Sequence, residues 1–323
     1  MMLKHVDNEE FQSINRGYNS VFRPNRLSVG LVVPVENYSR GPVPLMTRHV
    51  ERIKRVEELG FSAIWLRDVP FNVPTFSDAG QMFDPFVYLG LLAAQTDCIA
   101  LGVASIVLPL RHPAHVAKAA ASVDVLSGGR LVLGVASGDR PEEYPALNMN
   151  FCDRGEHFRA SFEYINRVWE DAPSFENIYG NPHGGMDMLP KPMAGKIPLL
   201  ITGGSQQDPE WIAGNGDGWI TYPRSVSEQA KIIKNWRKRV DAVGGPDKPA
   251  VHSLYIDLLE DPDAPPQVIH LGFRSGVNHL RDYLKSMREI GINHVALNLR
   301  FNQEGIETTL KRLASELLPD FTD

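Results

Sequence analysis

Cysteine is almost missing from this chain: Cys98 and Cys152 are its two copies in 323 residues, and no C-x-x-C occurs. No disulfide framework is expected, and two unlinked thiols suit a reducing cytoplasm. Long apolar runs are missing too; none approaches the ~18 residues that a spanning helix needs. Residues 1–26 hold no apolar core of the kind a signal peptide carries, so the expected location is the cytoplasm. No basic tract offsets the net charge of −6, which argues against nucleic acid as a partner. The ten histidines are scattered. His112 and His115 stand three apart, but no matching carboxylate accompanies them, so no metal site is expected. No G-x-S-x-G follows a strand, as a Ser-His-Asp hydrolase would require. The residues after the first strand, ENYSRG, lack the G-x-G-x-x-G of an open dinucleotide-binding sheet.

What is present is ordinary globular composition, 43% hydrophobic and 22% charged, in a length that suits two small domains or one α/β barrel. The most telling stretch is 99–139, IALGVASIVLPLRHPAHVAKAAASVDVLSGGRLVLGVASGD. Its first apolar run reads as a strand buried on both faces. Pro113 fits the first turn of a helix, where a missing N–H costs nothing. Good helix formers follow, Ser127-Gly128-Gly129 ends the helix, and RLVLGVASGD is a second buried strand. This is one βαβ unit, with small residues where the strands end and a flat ligand can approach the backbone.

The same alternation runs along the chain. Strands are expected at 27–35, 62–68, 99–110, 130–139, 197–202, 219–222, 250–259 and 295–301, with helices between them. Residues 1–26 read as a polar N-terminal extension, lying against the body or serving an oligomer contact. Residues 27–323 read as a single domain. The loop at 69–83, with three Phe, and the Pro- and Gly-rich insertion at 172–196 are the long connections, and such loops are often functional. Residues 260–267, EDPDAPPQ, read as loop. Eight β-then-α units imply a closed (β/α)8 TIM barrel with inserted loops.

In that fold ligands sit at the C-terminal ends of the strands, which selects Arg67, Asp68, Ser105, Ser137, Arg140, Gly203, Gly204, Ser205, Gln206, Tyr222 and Arg300 among others. Gly203-Gly204-Ser205-Gln206, after the fifth strand, is read either as a phosphate-binding turn of exposed N–H groups or as a plain tight turn. Asp68 is read either as a base or cofactor contact, or as the partner of a neighbouring Arg or helix start. Arg111 and His112 are read either as ligand contacts or as the cap of the next helix.

The segment LGVASIVLPLRHPAHVAKAAASVDVLSGGRLVLGVASGD closely resembles the third-to-fourth-strand signature of the bacterial luciferase-like flavin monooxygenases, with its Arg-His-Pro turn and Leu-Ser-Gly-Gly-Arg-Leu box. EEYPALNMNFCDRGEHFRASFEYI, IPLLITGGS and GDGWI resemble later pieces of the same family. The resemblance implies a TIM barrel, usually dimeric, that holds reduced FMN from a separate flavin reductase and uses O2 on a small organic substrate. It places the phosphate at Gly203, Gly204, Ser205 and Gln206, with Arg140 and Tyr144 as further contacts. It places the ring near Asp68, Ala104, Ser105 and Ser137. His112 is the candidate for catalytic proton handling. A branch of the family uses the deazaflavin F420 on the same scaffold, so a hydride-transferring F420 enzyme is the alternative, as is a non-catalytic flavin-binding protein. This chain has Gly138-Asp139-Arg140-Pro141-Glu142-Glu143-Tyr144 where many relatives carry Gly-Trp.

Overall fold

The computed structural model describes residues 10–73, 75–76 and 82–321. Residues 1–9 of the expected extension, and 74 and 77–81 of the expected lid loop, lie outside the described residues, as do 322 and 323.

Helix α1 (Arg16–Val21) precedes the barrel. Then β1 (Ser28–Val32), α2 (His49–Glu58), β2 (Ala63–Leu66), α3 (Pro85–Ala93), β3 (Ala100–Val107), α4 (Pro113–Leu126) and β4 (Leu131–Ala136) alternate. A single-turn helix α5 (Glu143–Ala146) and the long α6 (Arg154–Val168) come next. Beyond the insertion run β5 (Leu199–Thr202), α7 (Pro209–Asn215), β6 (Gly218–Thr221), α8 (Val226–Val243) and β7 (Ala250–Leu258). A hairpin of β8 (Gln267–Ile269) and β9 (Gly272–Ser275) leads to α9 (Val277–Glu289), β10 (His294–Asn298) and α10 (Ile306–Arg312).

Strands β1 to β7 pair in order and in parallel, and β10 pairs with both β1 and β7, which closes an eight-stranded barrel. The expected fold is therefore found. The hairpin is a departure from the expected loop: β9 runs parallel to the outer half of β7, with Tyr255 opposite Gly272, and β8 returns antiparallel.

Side chains alternate across the strands, as a pleated ribbon requires. Leu31, Ile64, Leu66, Leu101 and Leu133 face outward under the helices. Val32, Ala63, Trp65, Ala100, Val132, Leu200, Ile220, Val251 and Ala296 fill the interior. The interior is narrow, so one large ring demands a small neighbour: a Cβ on Gly102 would stand 2.4 Å from the Trp65 indole. Phe11, Tyr18, Val21 and Phe22, from the N-terminal segment, join this inner cluster. Residues 10–26 thus lie against the body. Asn15 caps α1 through Tyr18 N–H and donates to Leu131 O at 2.8 Å, and Tyr18 Oη donates to Asp217 O at 3.0 Å.

Candidate active site

The opposite end of the barrel, where the strands point their carboxyl ends, opens into a cavity of about 650 Å³. That is room for a drug-sized or tricyclic ligand. Ala104 and Ser105 enter its wall at a register shift between β3 and β4, the kind of irregularity that re-aims side chains beside active sites. The Ser105 and Thr202 hydroxyls are hydrogen-bonded, tying the end of β3 to the end of β5. Ser137, Arg140, Gly203, Gly204, Ser205 and Gln206 line the same cavity. The glycine turn and the two serines expected to face a ring are thus in one place.

The turn itself is unusual. Gly203 has φ +57°, and Ser205 and Gln206 also take positive values, +43° and +58°. Non-glycine residues adopt that region at a cost, which functional sites tolerate. The conformation leaves the N–H groups of Gly204, Ser205 and Gln206 donating to no backbone carbonyl among the described residues. Ser205 Oγ donates back to Thr202 O at 2.7 Å, and Gln207 anchors the turn to Gly155 O. A nest of backbone donors is an anion cradle.

Asp68 reaches the cavity, but its carboxylate is engaged elsewhere. It accepts from Arg111 Nε and Nη2 at 3.0 and 2.7 Å and from Val107 N–H at 3.1 Å. Arg111 also grips Asp84, the N-cap of α3. Asp68 therefore fastens the end of β2 to the turn after β3. Tyr144 does not line the cavity. It is fully buried behind Gly138, packed edge-on to Phe151 at 5.1 Å, with its hydroxyl donating to Ser137 O. His112 lies outside the cavity as well. Pro113 at the first turn makes His112 the N-cap of α4, so its Nδ1 accepts from Ala114 N–H and its ring packs against Tyr164 and Tyr179. Its Nδ1 thus serves the cap, and its Nε2 lies 3.3 Å from Tyr179 O rather than in the cavity.

Sequence reasoning passed over Glu143. It is 2% exposed, lines the cavity, and has Oε1 without a hydrogen-bond partner among the described residues, 3.9 Å from Arg140 Nη1. Burial pushes its carboxyl up to about 7, with Asp68 and Asp139 adding to the rise against the pull of Arg140. The signal available was the spacing: three residues from Arg140, in a turn of helix that swings it inward. Also missed were Tyr255, His270 and Leu271, brought to the cavity by β7 and the hairpin tip. Tyr255 packs on Phe301 at 5.3 Å and on His270 at 5.6 Å. The floor is neutral: Trp65 Nε1 donates to His294 Nε2 at 2.8 Å, and burial beside His252 pulls His294 down to about 3. No group of three or more His, Cys, Asp or Glu able to hold a metal occurs among the described residues, and no described helix is long and apolar enough to cross a membrane.

A closed (β/α)8 barrel whose ligand cavity combines an anion cradle with a buried acid defines a small-molecule enzyme scaffold. The chain belongs to the luciferase-like monooxygenase family, whose model matches residues 26–259. Members of this family are oxidoreductases. Among relatives, it is 31% identical over 200 residues to an uncharacterized protein of Mycobacterium tuberculosis (strain ATCC 25618 / H37Rv), covering 58% of this chain and 69% of that one. It is 26% identical over 226 residues to the F420-dependent hydroxymycolic acid dehydrogenase of the same strain, covering 68% of this chain and 59% of that one. In structure it matches the monooxygenase RslO1 from Streptomyces bottropensis with a TM-score of 0.74 at 18% identity, over 91% of this chain and 99% of that one.

Proposed function

We propose that this protein is an FMN-dependent monooxygenase acting on a small organic substrate, with residues 27–323 forming one catalytic domain. The observation that carries the reading is the turn at 203–206, which lines the cavity walled by Ser105 and Ser137 and in which three N–H groups donate to no backbone carbonyl among the described residues. Those donors suit a flavin phosphate, and the cavity suits its ring. Reduced flavin, when bound, supplies the electrons with which O2 is activated. The chain's own part is to hold and to shield. Gly204, Ser205 and Gln206 N–H hold the phosphate, with Arg140 near the same wall. Trp65, Ala104 and Val32 back the ring with apolar surface that excludes water. Glu143, neutral or ionised near pH 7, moves a proton at its Oε1. In this reading a separate reductase delivers the reduced flavin, in a cytoplasm that keeps the exposed thiols of Cys98 and Cys152 unpaired.

A second reading, hydride transfer with F420, is favoured by the relative named as an F420-dependent dehydrogenase. Titrating the protein with FMN and with F420, each oxidised and reduced, separates the two. FMN-dependent oxygenation requires tighter binding of reduced FMN and substrate-linked O2 uptake. Preference for F420 with no O2 uptake overturns it in favour of the second reading.

The reading extends to a homodimer. Helix α3, PFVYLGLLA, is apolar all round, yet Val87 and Leu91 lie one turn apart on its exposed face. Such a helix face normally meets another apolar surface. Sedimentation of wild type against Val87→Glu tests it: a dimer that the charge converts to monomer is expected, and a monomeric wild type removes the extension.

A further inference from the structure

One hydrogen-bonded thread runs from the cavity down to α1. At its top Trp65, which lines the cavity, donates its Nε1–H to His294 Nε2 at 2.8 Å. That nitrogen accepts, so the neutral ring carries its proton on Nδ1. Nδ1–H donates to Ser28 Oγ at 2.7 Å, and Ser28 Oγ–H donates to Val21 O, in the last residue of α1, at 2.8 Å. Each partner fixes the role of the next, so the tautomer of His294 is set from both ends. We propose that His294 is a positioning residue for the ligand cavity: it aims the Trp65 indole, and Ser28 and Phe22 hold it from below, which makes the end of α1 part of the site's support. The proposal rests on the main cavity being the cofactor site, and it says what aims the surface beneath the ring.

The neighbours of the indole at the cavity floor, Val32, Ala104, Val251 and Ala296, are aliphatic, and they press on the ring without choosing its angle. The imidazole of His294, 5.5 Å away between ring centres, supplies the directional bond. Two strands give up a side chain to let the pair lie together: a Cβ on Gly102 would stand 2.4 Å from the indole, and one on Gly30 would stand 2.8 Å from His294 Nε2. From below, Phe22 meets His294 edge-on, with ring centres 6.1 Å apart. In a dry interior no water competes for such a bond, so it holds its geometry firmly. Burial pulls His294 down to about 3, so the ring stays neutral and its bond to Trp65 does not switch across the neutral range. A ligand-facing ring locked by packing and by a supporting hydrogen bond is how a site is kept within the tolerance that binding needs.

The test uses the full chain. Its five tryptophans give indole N–H signals by NMR, and Trp65→Phe identifies the one from Trp65. That signal should move in His294→Leu and, by less, in Ser28→Ala and Phe22→Leu. It should stay near its place in His294→Gln, whose amide accepts from Trp65 and donates to Ser28. FMN and F420 are then titrated against the same variants. Affinity for whichever of them binds should fall about tenfold in His294→Leu and about threefold in Ser28→Ala, and hold within about twofold in His294→Gln. Leu284→Ala, buried under α9 in the outer core, is the control for lost stability alone: it should lower the unfolding midpoint and leave both readouts unchanged. If His294→Leu does not fold, Ser28→Ala and Phe22→Leu decide. A Trp65 signal unmoved in those two variants, a moved signal with cofactor affinity unchanged, or an equal loss of affinity in Leu284→Ala overturns the proposal. A wild type that binds neither FMN nor F420 ends the cofactor reading instead, and the Trp65 signal alone then decides whether His294 and α1 aim the floor.

Discussion

Single side chains at this site divide into those that hold structure and those left available to a ligand, and the division is set by what each already touches. His112 caps α4, so His112→Ala should cost about 0.5–2 kcal/mol in thermal unfolding and leave cofactor affinity unchanged. A large loss of affinity with unchanged stability would return it to the site. Glu143 is the opposite case. Its carboxyl, ordinarily near 4.5, sits at about 7 in the fold. The unfolded chain therefore ionises first as pH rises, and stability present below 4.5 is progressively lost up to about 7. Glu143→Gln removes that loss: relative to wild type it should gain stability between pH 5 and pH 8 in urea unfolding, while turnover falls and cofactor binding persists. A pH-independent difference would show that Glu143 titrates normally. In the sequence, Asp68, Ser105, Ser137 and Ser205 were legible because the barrel rule selects strand ends. What was not legible is direction. Asp68 was legible as a strand-end residue, whereas its bidentate pairing with Arg111 depends on a helix start 43 residues away.

At the scale of elements, the eight strands and most helices follow from periodicity, from Pro at helix starts and from Gly at helix ends. The β8–β9 hairpin did not, because three prolines between Asp261 and Gln267 disguise the approach to it and β8 is solvated on both faces. Its pairing is held by β7 rather than by its own pattern. Helix α1 was also illegible, since six residues carry little intrinsic helix stability and its order comes from packing. That packing is tight: Gly17 N–H donates to Gly129 O at 2.9 Å, and a Cβ on Gly17 would stand 2.3 Å from Arg130 O. Gly17→Ala should therefore destabilise by about 1–3 kcal/mol despite the better helix propensity of Ala, read by thermal unfolding. A stabilised variant would show that α1 docks loosely.

Over the whole molecule, two histidines buried in the barrel wall set its acid limit. Burial pulls His252 down to about 4 and His294 down to about 3. As pH falls below the ordinary 6.5, the unfolded chain takes up a proton at each site and the folded chain does not. Stability is lost through that window, about 2 kcal/mol per histidine by about pH 5. Unfolding midpoints should drop steeply from pH 7 to pH 5, and the drop should shrink in His294→Gln; an unchanged slope in that variant would place the effect elsewhere. Closure of the barrel itself was legible from the count of units.

Tyr18 and Asp217, which meet at the floor, are separated by 199 residues. During synthesis the stopper is therefore made long before its socket. Phe11, Tyr18, Val21 and Phe22 must wait, greasy and unshielded, until the middle of the polypeptide has emerged. Whatever escorts nascent chains has a handhold on these four side chains until their partners have been made.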